Sequence, residues 1–341
     1  LFVAVLAIGL LVIARLHADR GAAEELARRS SETANAARAH VSQLALNLMS
    51  VRNSLMHSEE SIAAGRGFKP RWSDVFIVTY PKCGTTWMQQ IVQALRSGGS
   101  LDFGEICEVM PWDIVALDCA QALDAEQPWL PRAFKSHEAA DTVAPGARYI
   151  YVIRDPCDAL VSFWRFLPAY MGLQPTDITL DDFTNAIFAG VSASGTIWSH
   201  LLGWWQRRHE PDVLFVFYED LLEDLPAQVR RVADFLCVGL ATGEDWGHAG
   251  GAGGGERASA REASDRSGVL GLDRETLVRI ATRQSRHSFM SAPEHAHHFD
   301  DHFVRGRLAT RMRLPPECLR SPGASSKVRQ GGGRSGYGFA P

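Results

Sequence analysis

The spacing of apolar residues changes several times along the chain, and each change predicts an element. Leu1–Ala14 is unbroken apolar sequence, closed by Arg15, Asp19 and Arg20. From Gly21 to about Ser61 the chain is rich in Ala, Arg, Glu and Ser, with helical propensity and a thin apolar stripe at Val41, Leu44, Leu48, Val51 and Leu55. It reads as a stem or docking helix. Gly, Pro and charge between Gly65 and Trp72 predict a boundary. Val75–Thr79 is then a short β-branched run of the kind buried in a parallel sheet. A turn over Tyr80–Gly84 follows, after which Trp87, Met88, Ile91, Val92 and Leu95 recur at helical spacing. Strand, tight loop and helix repeat at Tyr149–Ile153, where Arg154-Asp155-Pro156 leads into a helix whose start Asp158 is expected to mark. The same grammar returns at Val213–Phe217, followed by Tyr218-Glu219-Asp220 and a helix over Leu225–Leu236. Such alternation predicts an α/β fold with a central parallel sheet covered by helices. Helical sequence resumes over Arg274–Ala281, and the tail after Ser321 is rich in Gly and Ser.

The 341 residues accommodate one large α/β domain with appendages. The pattern divides them into an apolar leader (1–20), a helical stem or linker (21–71) and a main domain (72–341), the last carrying a flexible glycine-rich insertion at 245–268. A net charge of -4 gives no reason to expect nucleic acid as a partner, so basic residues act locally. Cys83, Cys107, Cys119, Cys157, Cys237 and Cys318 form no Cys-x-x-Cys pair, which suggests neither zinc nor a disulfide framework and fits free thiols in a reducing compartment. The leader is shorter than the roughly 20 apolar residues of a spanning helix. Because the chain opens on Leu rather than Met, two readings stand: a truncated anchor that associates the protein with a membrane, or a leader without that role in a cytoplasmic protein. A signal peptide fits less well, since charged, helix-favouring sequence follows in place of a small-residue cleavage site.

Three segments carry candidate chemistry. Thr79-Tyr80-Pro81-Lys82-Cys83-Gly84-Thr85-Thr86-Trp87 stands where a strand ends and a helix begins. Backbone N–H groups of the helix start, two hydroxyls and a lysine converge there, which makes an anion site. It is not a Walker A loop, because Lys82 precedes Gly84, whereas the ATP-binding pattern puts lysine directly after the final glycine. The second segment, Arg154 to Ser162, places a guanidinium at a strand end and a hydroxyl one helical turn beyond Asp158, so both can meet a second phosphate. Between them lies Phe134-Lys135-Ser136-His137. Histidine titrates near neutrality and suits a general base, and Lys135, two residues earlier on extended chain, faces the same side. Glu294 to His302 also concentrates ligand-type side chains, but it reads as a solvated, helix-capping segment, and no metal is assigned.

Together these segments resemble the cytosolic-type sulfotransferase family, whose donor loop reads Tyr-Pro-Lys-Ser/Cys-Gly-Thr-Thr-Trp, whose second motif reads Arg-Asn-Pro-x-Asp-x-x-x-Ser, and which carries Lys-x-His between the two. The resemblance runs from about Trp72 to Gly332, apart from the glycine-rich insertion. It implies a P-loop-like nucleotide-binding sulfotransferase fold. It further implies transfer of a sulfuryl group from 3′-phosphoadenosine 5′-phosphosulfate (PAPS) to a hydroxyl or amine of a small-molecule or glycan acceptor, with no metal required. Carried over from the family, the 5′-phosphosulfate falls to Lys82, Cys83, Gly84, Thr85 and Thr86, with Lys82 helping the phosphate leave and Trp87 stacking on adenine. Arg154 and Ser162 would hold the 3′-phosphate, His137 would be the base, and Lys135 would neutralise charge on the transferring group. Weaker echoes put Tyr218 and Phe289 near the adenine and add Ser288 to the donor-binding residues.

The family's C-terminal Arg-Lys-Gly-x-x-Gly-Asp-Trp-Lys becomes Lys327 to Arg334, where Arg329 and Gly331 survive and Asp-Trp-Lys does not. Closure over the donor is therefore expected to be weaker or built differently. The family's dimerisation motif is not recognisable, which leaves the oligomeric state open. Two rival functions remain: a phosphoryl transferase, disfavoured by the misplaced lysine and the missing Lys-Ser/Thr magnesium pair, and a phosphoadenosine-binding protein without transferase activity. Every donor residue named lies after Gly65, so that part of the chain is expected to fold and bind donor without the segments before it.

Overall fold

The computed structural model describes residues 2–174, 176–190, 194–236 and 272–312; the glycine-rich segment 245–268, Arg329 and Gly331 lie outside them. The chain runs α1 (Phe2–Ser54), α2 (Glu59–Gly67), β1 (Val75–Thr79), α3 (Thr85–Ser97), α4 (Ile106–Val109), β2 (Ala133–Ser136), β3 (Arg148–Ile153), α5 (Pro156–Tyr170), α6 (Leu180–Phe188), α7 (Ile197–Gln206), β4 (Val213–Phe217), α8 (Tyr218–Glu223), α9 (Leu225–Leu236), α10 (Arg274–Gln284), α11 (His287–Met290) and α12 (His302–Met312). The strands form a parallel sheet in the order β2-β1-β3-β4. Alternate residues of β1 serve opposite layers, as a period of two demands. Val75 and Ile77 share a core with Met88, Ile91 and Leu95 of α3, Val229 and Val232 of α9, and Val278 of α10. Phe76 and Val78 share another with Phe134, Tyr149, Tyr151 and Trp204 of α7. Helices thus cover both faces, which is the architecture the alternating runs predict.

The register brings the strands' C-terminal ends together, since Val78 pairs with Ser136 and Thr79 with Val152. β1 lies between the second and third strands in sequence, so the connections leaving it turn to opposite sides, and ligands of such sheets bind outside the carboxyl ends at this switch point. The other end is locked by a buried ion pair, in which Arg132 donates from Nε and Nη2 to the Asp74 carboxylate at 2.9 and 2.5 Å.

Two local readings change in three dimensions. The helix after β3 starts at Pro156, not at Asp158: the Asp155 carboxylate accepts from the Cys157 and Asp158 N–H groups, and proline at the first helical position needs no partner for a missing N–H. The stem helix docks, but not through its apolar stripe. Val41, Leu44, Leu48, Val51 and Leu55 are exposed, while Ser42, Ala45, Leu46 and Met49 on the neighbouring face are buried. The Thr179 N–H donates to Ser42 Oγ at 3.2 Å and Arg52 Nη1 to the Met171 carbonyl at 2.6 Å, tying the end of α1 to α6 and to the turn after α5. Ala45, Leu46, Met49 and Met56 belong to a third core with Tyr80, Phe163, Tyr170, Phe183 and Leu308. Among the described residues no helix is long and apolar enough to cross a membrane.

Candidate active site

Between this third core and the ends of β1, β2 and β3 opens a cavity of about 200 Å³. Its first wall is the loop after β1. Lys82 has a φ of 71° and Gly84 a φ of 105°, left-handed values that turn the chain sharply into α3. A lysine seldom adopts that conformation outside a site that requires it. A Cβ on Gly84 would stand 2.8 Å from the Tyr218 ring, so glycine is needed both for its backbone and for the close approach of α8. Arg154, just past β3, donates from Nη1 to the Lys82 carbonyl at 3.0 Å and lies with its Cζ 4.2 Å over the Tyr218 ring. Its buried Nε has no hydrogen-bond partner among the described residues. Trp87 meets Tyr218 edge-on at 5.2 Å and donates from its indole to the Ser285 carbonyl at 2.7 Å.

The second wall comes from β2. The four-residue strand was legible only as extended chain, because it contains no apolar run; pairing with β1 is what orders it. Lys135 is buried, with Nζ 3.6 Å from the centre of the Trp112 ring, and His137 meets the same ring edge-on at 5.3 Å. His137 Nδ1 is 2.8 Å from the Thr79 carbonyl oxygen, which can only accept, so Nδ1 carries a proton and, in the neutral form of the ring, the lone pair falls on Nε2. Behind it stands His200, overlooked as a site residue because it falls in a Trp-rich helix that reads as core. His200 Nε2 donates to the His137 carbonyl at 3.2 Å and Nδ1 accepts from the Tyr151 hydroxyl at 2.9 Å. Burial pushes its pKa down to about 4, so it stays neutral and holds that tautomer.

Lys82, Gly84, Thr85, Thr86, Trp87, Lys135, His137, Arg154, Ser162 and Tyr218 all line the cavity. Thr79 Oγ1 lies 2.6 Å from Thr85 Oγ1, joining the strand end to the helix start. Three other expected donor residues stand apart. Cys83 is packed beneath the loop, where burial pushes its thiol up to about 12 and keeps it neutral. Ser288 is exposed, and Phe289 stacks on His295 with ring centres 3.9 Å apart. Sequence reasoning also missed Asn53, Met56 and His57, which bring the end of the stem into the cavity wall. His57 approaches Trp112 edge-on at 6.3 Å on behalf of a segment that carries no motif.

The His297 and His298 rings lie 3.9 Å apart and His295 6.5 Å from His298, but among the described residues these histidines form no set of three ligand atoms close enough to share one ion. His298 faces the Gly104 carbonyl and His302 bonds Asp300. Among the described residues one set of ligand-type atoms comes within 4.8 Å, those of buried Glu105, Cys107 and Asp301; Asp301 also accepts from the Tyr170 hydroxyl at 2.8 Å.

A parallel sheet with helices on both faces thus carries, outside its C-terminal edge, a tight strand-to-helix loop, an arginine just past β3 and a histidine oriented between them. Residues 72–244 match the family model of the sulfotransferase domain, and the chain belongs to that family. It is 32% identical over 176 residues to an amine sulfotransferase of Oryctolagus cuniculus, and 28% identical over 181 residues to a flavonol 3-sulfotransferase of Flaveria bidentis. Each alignment covers 50% of this chain and 58% of the relative, so the chain spans less than two thirds of their length. Among solved structures, mouse sulfotransferase SULT7A1 complexed with PAP aligns over 78% of this chain and 83% of that one, at 20% identity and a TM-score of 0.46.

Proposed function

We propose that this protein transfers a sulfuryl group from PAPS to a hydroxyl or amine of a small acceptor, with His137 as general base. One observation carries the reading: His137 is held as the Nδ1–H tautomer by the Thr79 carbonyl, in the same cavity as the anion loop. The chain's residues fit the donor. Gly84 supplies the left-handed turn into α3, and Arg154 presents a buried Nε with no hydrogen-bond partner among the described residues. Lys82, Thr85, Thr86 and the helix start of α3 would hold the 5′-phosphosulfate, Arg154 and Ser162 the 3′-phosphate, and Trp87 and Tyr218 the adenine. His137 Nε2 takes the proton of the attacking acceptor, Lys135 offsets charge on the group in transfer, and Lys82 with the loop amides stabilises the oxygen that leaves. No step calls for a metal: lysine before Gly84 supplies a fixed positive charge where magnesium-dependent loops place their Lys-Ser/Thr pair.

On this reading the acceptor would meet the apolar and aromatic part of the lining, Met56, Trp112, Phe163, Phe166, Tyr170 and Met290. The amine and flavonol acceptors named for the two relatives are within reach of such a pocket. Replacement His137→Ala should lower turnover by roughly 10²-fold or more and leave the affinity for adenosine 3′,5′-bisphosphate nearly unchanged. Normal turnover in the purified variant would remove His137 from the mechanism. Undiminished turnover after exhaustive chelation is expected as well, and a strict need for added magnesium would favour phosphoryl transfer instead.

A further inference from the structure

The outer face of α1 carries an ordered feature that the catalytic reading does not use. Val41, Leu44, Leu48 and Val51, with Leu55 in the turn directly after the helix, are spaced three, four, three and four residues apart, the alternation that keeps one seam facing a partner helix. The same spacing continues upstream through Ala37, Ala34, Ser30, Ala27 and Ala23, all exposed on one uninterrupted helix. Three-residue steps follow Val41 and Leu48 and four-residue steps follow Leu44 and Val51. Val41, Leu48 and Leu55 are therefore a positions, and Leu44 and Val51 are d positions. Among the described residues nothing covers this seam: exposure is 52% at Val41, 56% at Leu44 and 59% at Val51, because α1 docks through Ser42, Ala45, Leu46 and Met49.

We propose that this seam pairs with the same seam on a second copy of the chain, in a parallel two-stranded coiled coil. The size suffices: the five large side chains leave on the order of 400 Å² exposed per copy, and with the alanine layers two copies reach about 1,000 Å², where specific interfaces begin. Charge permits it too. Arg20, Glu24, Glu25, Arg28, Arg29 and Glu32 are paired within their own helix, so the rod presents balanced charge to a twin. Across Leu26–Ser54 the positions flanking the seam are Leu26, Thr33, His40, Asn47 and Ser54 on one side and Ser31, Arg38, Ala45 and Arg52 on the other, a set that brings no two like charges face to face in parallel register. Parallel order follows from shape. It puts large layers on large and alanine on alanine, whereas an antiparallel partner centred on Leu48 would carry its N-terminal rod past Leu55, where the chain turns into the catalytic core.

Sedimentation of the full chain should give twice the monomer mass. The pair Leu44→Glu and Leu48→Glu should halve that mass while adenosine 3′,5′-bisphosphate still binds, and Gln43→Glu on the adjacent face should change nothing. As a measurement that does not depend on tolerance of glutamate, Leu44→Cys in a background lacking exposed Cys157 and also Cys237 and Cys318 should cross-link to its twin on mild oxidation, and Gln43→Cys should not. A monomeric parent, a dimer indifferent to both glutamates, or equal cross-linking at the two positions would overturn the proposal. So would a monomer whose sedimentation with phosphatidylcholine vesicles falls in the Leu44→Glu, Leu48→Glu variant, since lipid would then be what covers the seam.

Discussion

Single residues in this site act through orientation as much as through charge. Arg154 pins the loop at the Lys82 carbonyl and keeps a buried Nε without a hydrogen-bond partner among the described residues, so on the proposed reading its loss would remove a charge-assisted contact and a brace together. Arg154→Ala should weaken adenosine 3′,5′-bisphosphate by about 1.5–3 kcal/mol, roughly 10- to 100-fold by calorimetry; equal binding would refute the role. His200 makes a pH prediction with a definite sign. Its pKa falls to about 4 in the folded protein because burial disfavours the imidazolium, whereas in the unfolded chain it titrates near 6.5. Between these values the unfolded chain binds the extra proton. The stabilisation from keeping His200 neutral is thus fully present above about pH 6.5 and is lost as pH falls toward about 4, on the order of 3 kcal/mol in all. Urea unfolding should show the parent losing stability more steeply over this window than His200→Gln, and equal slopes would dismiss the buried neutral histidine. Two neighbouring residues of the chain, Lys135 and His137, were legible from their motif, while His200 was not, since only the packing of α7 against β3 brings it behind the His137 carbonyl.

Among the elements, α1 departs furthest from its sequence pattern. The stripe that marks it as a helix faces solvent, and a face with less contrast, Ser42, Ala45, Leu46 and Met49, enters the core. Burial of Leu46, Met49 and Met56 contributes about 1.5–3 kcal/mol each, a sum comparable with the whole stability of a domain, about 5–15 kcal/mol. A chain beginning at Ala39 should therefore melt at nearly the parent temperature. One beginning at Gly65 should melt far lower or aggregate, and should lose acceptor turnover with the cavity residues Met56 and His57 even if some donor binding survives. An unchanged melting temperature for the shorter chain would show that the stem only leans on the fold. The short strand β2 teaches the complementary point. Four residues alternating between a buried Phe134 and a cavity-facing Lys135 give no periodic signal, and only pairing along β1 makes them a strand.

At the scale of the whole molecule, the cavity joins the sheet's C-terminal edge to the third core, with walls drawn from the stem, three strand ends, α5 and α11. A ligand there should stabilise everything at once. Adenosine 3′,5′-bisphosphate at about 100 times its dissociation constant should add about 2.7 kcal/mol and raise a single melting transition by several degrees; two transitions, of which only one shifts, would divide the molecule into independent parts. The sequence alone determined the strand, loop and helix of each winding, because buried parallel strands and amphipathic helices write their periods into apolar spacing, and it marked the tight loop after β1, because such backbone geometry demands particular residues in immediate succession. Tertiary structure alone decided which face of α1 is buried, that His57 reaches Trp112 beside His137, and which nitrogen of His137 faces the Thr79 carbonyl. Those outcomes depend on contacts between residues far apart in the chain, such as Thr79 with His137, 58 positions away, or Thr179 with Ser42, 137 positions away, and no local period or motif encodes a contact across such distances.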